Sequence, residues 1–127
     1  GDDCWFHSDY IGDSVIGDRC SFGAGTILAN FKFDESEVTV NINGARISTG
    51  TDKFGAIIGN DCKTGINSSI MPGIRLGPSS IVGSHTCLAK DLGPDKIARQ
   101  EPRYQIIDNR IKLDAKKKAE LMKRLNK

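Results

Sequence analysis

Three side chains ahead of residue 31 have types suited to moving a proton beside a bound molecule: His7, Tyr10 and Asn30. An imidazole is the natural general base near neutral pH. A phenol and a carboxamide supply uncharged hydrogen-bond partners for the same molecule. His7 follows Trp5 by two residues, and Asn30 follows Leu28 by two. If Trp5 and Leu28 point inward in a repeating unit, His7 and Asn30 both stand near a corner on the outer surface. Tyr10 lies between them, displaced outward, so all three are expected to converge on one outer edge. By itself, a histidine in such a place reads first as a surface residue.

A repeat positions these residues. In steps of six, the chain reads Ile58, Thr64, Ile70, Leu76, Val82, Leu88, and earlier Ile16, Phe22, Leu28. Gly or another small residue usually follows each, as in Gly17, Gly23, Gly59, Gly65, Gly77 and Gly83. Small residues usually stand two before each, as in Ser14, Cys20, Thr26, Ala56 and Cys62. A period of six fits neither a helix of 3.6 residues per turn nor a hairpin meander. It fits one short strand plus one corner, with the aliphatic side chain inside. Three such units close a triangular coil of 18 residues, and coils stack at roughly 4.8 Å. The fold expected is all-β, a left-handed parallel β-helix. Ile11 and Ile16 are five apart rather than six; Gly12 argues for Ile11 as the inward residue, with Tyr10 re-aimed outward as at a bulge.

Residues 31–55 interrupt the period. Val38-Thr-Val-Asn-Ile42, Asn43-Gly44 and Ala45-Arg-Ile-Ser48 alternate around an Asn-Gly pair, the strongest short hairpin signal. The β-helix domain is therefore drawn at 1–92 with a hairpin insertion at 31–55. A C-terminal extension, 93–127, follows, with a helix over about 115–126 started by Asp114. The repeat is already running at Gly1, so the chain reads as a C-terminal piece of something longer.

Composition narrows the function. The chain has 127 residues, 18 basic and 16 acidic side chains, and a formal charge of +2, which argues against a dedicated nucleic-acid binder. Residues 112–127 hold seven Lys/Arg and two acids; the Lys116–Lys118 run is most simply a solvated helix face. No apolar run is long enough for a membrane span, and no secretory leader is expected. Cys4, Cys20, Cys62 and Cys87 contain no C-x-x-C pair. They are expected as free thiols in a reducing, cytoplasmic setting.

The run His7-Ser-Asp-Tyr-Ile-Gly-Asp-Ser-Val-Ile-Gly17, with Phe22-Gly-Ala-Gly-Thr26 and Asn30, resembles the acetyltransferase domain of bifunctional sugar-1-phosphate enzymes. Residues Asn30–Asp34, Val38–Gly44, Gly55–Gly59, Lys63–Asn67 and Ile70–Gly73 resemble the archaeal-type sugar-1-phosphate nucleotidylyltransferases in particular. The resemblance covers residues 5–92. It implies a homotrimeric β-helix that transfers acetyl from acetyl-CoA to the amine of a hexosamine 1-phosphate, between subunits. It implies His7 as catalytic base, Tyr10 and Asn30 as substrate contacts, and CoA along a wall near Ala24, Gly65 and Gly83. A backbone N–H near Ala24 is expected to meet the oxyanion. The family carries two lysines after the Asn that meet the sugar phosphate; here Ser36 and Thr39 stand in their places, with Lys32 and Lys53 nearby.

Two other readings compete. One is a non-catalytic trimerisation or regulatory β-helix of a nucleotidylyltransferase, favoured by Ser36 and Thr39. The other is a zinc site, which needs three histidines; only His7 and His85 exist, and His85 reads as an exposed corner residue. No metal, nucleic acid or membrane partner is expected.

Overall fold

The structure is a computed structural model and describes residues 1–126. Short strands alternate with corners. β1 (Tyr10–Ile11), β2 (Val15–Ile16), β3 (Ser21–Phe22) and β4 (Ile27–Leu28) precede a hairpin of β5 (Thr39–Ile42) and β6 (Ala45–Ser48). β7 (Ile57–Ile58), β8 (Lys63–Thr64), β9 (Ser69–Ile70), β10 (Arg75–Leu76), β11 (Ile81–Val82), β12 (Cys87–Leu88) and β13 (Ile97–Ala98) follow, then α1 (Ala115–Leu125).

The strands form three parallel faces of a prism. Their orders are β3-β8-β11-β13 on the first face, β1-β4-β9-β12 on the second and β2-β7-β10 on the third. Ile58 pairs with Leu76, Thr64 with Val82, and Ile70 with Leu88. Each pair is one 18-residue coil apart, so like residues stack as ladders. The winding is that of the left-handed β-helix, the exception among parallel connections. The expected inward residues Phe22, Leu28, Ile58, Ile70, Leu76, Val82 and Leu88 are buried and form one core cluster. Thr64 interrupts this apolar column, yet its hydroxyl lies 2.7 Å from that of Thr26. Among the described residues no buried side-chain polar atom lacks a partner, as a packed interior requires.

Many corners need a left-handed backbone. Asp13, Arg19, Asp61, Asn67, Ser79 and His85 have φ between 42° and 60°. Asn and Asp tolerate this region best among residues with a side chain. His85 is thus an exposed corner residue. Cys20 and Cys62 are buried at successive corners and donate weakly to Gly59 O and Gly77 O, each at 3.2 Å.

The first coil departs from the expected phase. Trp5 is 72% exposed rather than inside. Its bridge to Ser21 brings Phe6 into register with Phe22, and the two rings meet edge to face at 5.1 Å. The inward residues therefore run Phe6, Ile11, Ile16, two steps of five, so the first coil is two residues short. The stack also continues past residue 92, the expected end of the β-helix. Leu92 bridges Leu76, and β13 pairs with β11 through Ile81–Ile97 and Val82–Ala98. The last full turn is again two residues short, which hid it from a search in steps of six.

The hairpin leaves from the edge between the second and third faces. Its turn, Asn43-Gly44, has φ of 51° and 80°, the pair of positive values a type I′ turn needs. Val38 and Val40 are buried at its root, and Asn30 O accepts from Phe54 N at 2.9 Å to close its base. Helix α1 begins where Asp114 accepts from Lys116 N and Lys117 N. Every described residue from 101 to 126 is exposed.

Candidate functional site

Two edges of the prism carry the expected site residues. Between the first and second faces, His7 and Ser8 sit above Gly23 and Ala24, then Gly65 and Ile66, then Gly83 and Ser84. Ser8 O accepts from Gly25 N, Ala24 O from Asn67 N, and Ile66 O from His85 N, at 2.8–3.0 Å. His7 is exposed and follows the inward Phe6 by one residue, not Trp5 by two. Asp9 fixes this corner. One carboxylate oxygen accepts from His7 N at 2.9 Å and the other from Thr26 N at 3.0 Å. Asp9 was missed in the sequence because its role is to tie backbone to backbone.

The same edge carries Gly65 and Gly83. Gly65 and Gly83 donate their N–H groups to Val82 O and Ala98 O, both at 2.7 Å, so neither is free for a ligand. Their value lies in the missing Cβ. A Cβ at Gly23 would sit 2.7 Å from Ile66 N, and one at Gly65 would press on Ser84 N. Glycine therefore leaves the next coil's N–H uncovered. Among the described residues, the N–H groups of Ala24, Ile66 and Ser84 find no acceptor in the chain. A column of such donors, about 4.8 Å apart, fits an extended chain of amide carbonyls. Ala24 thus presents an open N–H; at the next two levels the open N–H belongs to Ile66 and Ser84, beside Gly65 and Gly83.

Tyr10 and Asn30 lie elsewhere. Asn30 Nδ2 donates to Asp13 Oδ2 at 2.7 Å, holding the carboxamide at the second edge. A Cβ at Gly12 would lie 2.7 Å from Asn30 Cγ and 2.8 Å from Tyr10 Cε1. The amide and the phenol ring therefore meet over Gly12. His7 does not join them within one chain. Five residues separate it from Gly12, roughly 15 Å at strand rise. The expected convergence of all three on one edge assumed equal offsets from inward residues, and the short first coil breaks that equality.

Beside Asn30 lies a cavity of about 570 Å³, lined by the apolar Ala29, Phe31, Phe33, Met71 and Pro72 and by Lys32, Asp34, Thr39 and Arg46. Lys32 Nζ donates to Ser36 Oγ at 2.7 Å and stands 3.9 Å from Asp34 Oδ1. Ser36 donates to Asp34 through both its hydroxyl and its N–H, and these bonds hold the Asp34 carboxyl below the usual carboxylate range. His7 and His85 lie at opposite ends of the first edge. Among the described residues no cluster of three metal-ligating side chains exists, and no helix is long and apolar enough to cross a membrane.

Residues 55–90 match the family described as bacterial transferase hexapeptide, six repeats. Over 86 residues the chain is 48% identical to the bifunctional protein GlmU of Methanococcus vannielii, covering 68% of this chain and 20% of that protein. Over 87 residues it is 47% identical to the bifunctional sugar-1-phosphate nucleotidylyltransferase/acetyltransferase of Sulfurisphaera tokodaii, covering 68% of this chain and 22% of that one. The chain thus spans about a fifth of the length of these curated relatives. Among solved structures, serine acetyltransferase isoform 3 of Entamoeba histolytica aligns with a TM-score of 0.60 at 14% identity, covering 87% of this chain and 32% of that one. At that identity the likeness is one of fold.

Proposed function

Residues 55–90 match the hexapeptide transferase repeat, and from that premise we propose that the chain transfers acetyl from acetyl-CoA to the amine of a hexosamine 1-phosphate. It would serve as the acetyltransferase part of a sugar-1-phosphate nucleotidylyltransferase. The observation that carries this reading is the first edge, where His7 stands above a column of open N–H donors at Ala24, Ile66 and Ser84. Acetyl-CoA supplies an activated acyl group held as a thioester. Ala24, Ile66 and Ser84 hold its chain through their N–H groups, and the Ala24 N–H faces the developing oxyanion. His7 accepts the proton of the attacking amine. Tyr10 and Asn30 orient the sugar.

We infer a homotrimer for a geometric reason. His7 lies on one edge and Asn30 on the next, so a site that uses both draws one edge from each of two subunits. Three-fold packing of triangular prisms brings unlike edges together. Over 86–87 residues this chain is 47–48% identical to the proteins bearing the bifunctional names above, which supports the same chemistry here.

The test is release of free thiol from acetyl-CoA in the presence of glucosamine 1-phosphate, for wild type and His7→Ala, with the assembly state measured alongside. Loss of about 10²–10⁴-fold in turnover is expected for the variant. No turnover by an intact wild-type assembly would transfer support to the second reading, a non-catalytic trimerisation domain. That reading is favoured by the neutral Ser36 and Thr39 beside the sugar corner.

A further inference from the structure

The column of inward residues has one polar member. Thr64 stands among aliphatic side chains and is buried, as are Thr26 and Ser68. Thr26 and Ser68 lie on the first edge, two residues before the inward Leu28 and Ile70. Thr26 Oγ1 donates to Gly23 O at 2.8 Å and lies 2.7 Å from Thr64 Oγ1. Ser68 Oγ donates to Gly65 O at 2.9 Å. Each hydroxyl has a single hydrogen. Thr26 uses its own on Gly23 O, and among the described residues Thr26 Oγ1 is the one acceptor within reach of the Thr64 hydroxyl. Thr64 therefore donates to Thr26, and the result is a directed chain from Thr64 through Thr26 to the Gly23 carbonyl.

That carbonyl and the Ala24 N–H belong to one peptide group. The group is planar and trans, so its C=O and N–H point in opposite directions. A carbonyl held inward by Thr26 aims the Ala24 N–H outward, and hydrogen bonds in series polarise one another. Ser68 stands in the same relation to the Ile66 N–H through Gly65 O. Buried hydroxyls thus back the open N–H groups of Ala24 and Ile66. The third edge, between the third and first faces, provides the contrast. Cys20 and Cys62 hold the corresponding places there, and a thiol is a weak donor. No row of open donors runs along that edge. Asn60 Oδ1 accepts from Asp18 N at 2.7 Å, and Pro78 and Pro94, which lie beside Gly59 and Gly77, have no N–H.

We propose that Thr26 and Thr64 are positioning residues for acetyl transfer, which aim and polarise the Ala24 N–H toward the acyl oxygen, and that Ser68 does the same for the Ile66 N–H along the bound chain. The proposal rests on the acetyltransferase reading for the nature of the ligand. Each of the three side chains acts through a peptide group and touches no ligand itself. Thr64 then has a reason to interrupt the core. A valine there would complete the apolar column and remove the first donor of the chain.

The experiment compares the full wild-type chain with Thr26→Val, Thr26→Ser, Thr64→Val, Ser68→Ala and, from the third edge, Cys62→Ala. It reads steady-state acetyl transfer to glucosamine 1-phosphate, thermal melting and the Ala24 amide resonance by NMR. In Thr26→Val, kcat should fall about 10-fold, a part of the 10²–10³-fold cost of losing an oxyanion donor outright. Both KM values should stay within about twofold, and the Ala24 amide nitrogen should shift upfield. Thr26→Ser should restore kcat and the resonance. Thr64→Val should lower kcat about threefold while melting no lower than wild type. Ser68→Ala should instead raise KM for acetyl-CoA about threefold and leave kcat unchanged. Cys62→Ala should melt lower and keep wild-type kinetics. Unchanged kcat in both Thr26→Val and Thr64→Val overturns the proposal while the acetyltransferase reading stands. A Thr26→Ser protein as slow as Thr26→Val also overturns it, because the fault would then lie in packing. Should wild type show no turnover, the Ala24 amide decides. A shift on adding acetyl-CoA that is lost in Thr26→Val supports the aimed donor without the reaction, and no shift in wild type overturns it.

Discussion

The two halves of the prism are built from the same unit and behave differently. From Ala56 to Leu88 the coils keep an 18-residue step, and ladder partners such as Ile58 and Leu76 or Ile70 and Leu88 are like for like. From Trp5 to Ile16 the coil is short: Ile11 pairs with Leu28, 17 residues on, and Trp5 with Ser21, 16 residues on. The regular half holds most of the deeply buried core, while Ile11 and Ile16 are only partly buried. The short coil carries His7, Tyr10 and the Asp13 that orients Asn30. Regular stacking leaves outward positions equivalent from coil to coil. Two missing residues re-aim the first coil's side chains relative to the coils beneath, and this is where the polar side chains gather.

The largest expected difference between the halves is in stability. Ile70 is fully buried between Leu28 and Leu88. Ile70→Ala should cost about 2–5 kcal/mol, the usual range for a truncated core aliphatic. Ile11→Ala removes the same atoms from a half-buried position and should cost clearly less, about 1–2 kcal/mol. Urea unfolding of the intact assembly measures both. Equal costs would mean that the short coil is as much a part of the core as the regular ones, and the contrast would fail.

The regular half was legible in the sequence because one number, six, recurs with a glycine or other small residue after most inward positions. The hairpin was legible because Asn43-Gly44 can adopt the two positive φ values its turn needs. The first coil was misread because counting back by six from Ile11 lands on Trp5, whereas the strand pairing selects Phe6. A shortened coil keeps hydrophobic content and loses phase. Leu92 and Ala98 were missed for the same reason. His7, Tyr10 and Asn30 were singled out by residue type, but their distribution over two edges depends on the phase that failed. The open N–H groups of Ile66 and Ser84 belong to the backbone and have no residue signature. Arg46 reaches the pocket only through the pairing of β5 with β6.

Two glycines sharpen the contrast by separating stability from activity. A Cβ at Gly65 would press on the backbone N and Cα of Ser84, atoms that belong to the coil ladder and cannot yield alone. Gly65→Ala should therefore lower stability, by about 1–3 kcal/mol. A Cβ at Gly12 would instead meet the Asn30 carboxamide at 2.7 Å and the Tyr10 ring at 2.8 Å. Those are side-chain atoms rather than ladder backbone, and the bond at stake is the exposed one from Asn30 Nδ2 to Asp13 Oδ2. Gly12→Ala should leave unfolding nearly unchanged and lower acetyl transfer about 100-fold through displaced substrate contacts. Thermal melts and thiol release on the same two samples decide it. A Gly12→Ala protein that unfolds as readily as Gly65→Ala would show that the corner at Gly12 is a structural joint.

The smallest effect concerns the ion pair that ties the corner after the short coil to the regular stack. Arg19 Nε donates to Asp61 Oδ1 at 2.7 Å and Nη2 to Oδ2 at 3.1 Å. The Arg19 hydrogen bonds hold the Asp61 carboxyl below the usual carboxylate range. A carboxylate whose pKa is lowered by folding adds stability above its unfolded value, near 3.9, and loses that contribution as pH falls through the folded value. Wild type should therefore lose slightly more stability than Asp61→Asn between about pH 5 and pH 2. Both side chains are about half exposed, so salt screens the pair, and at 1 M NaCl the two proteins should melt together. A difference that survives high salt would mean that the pair fixes the phase of the short coil on the stack, beyond joining two exposed charges. Arg19→Gln would then also shift Tyr10 and depress acetyl transfer, an effect that a screened surface pair does not produce.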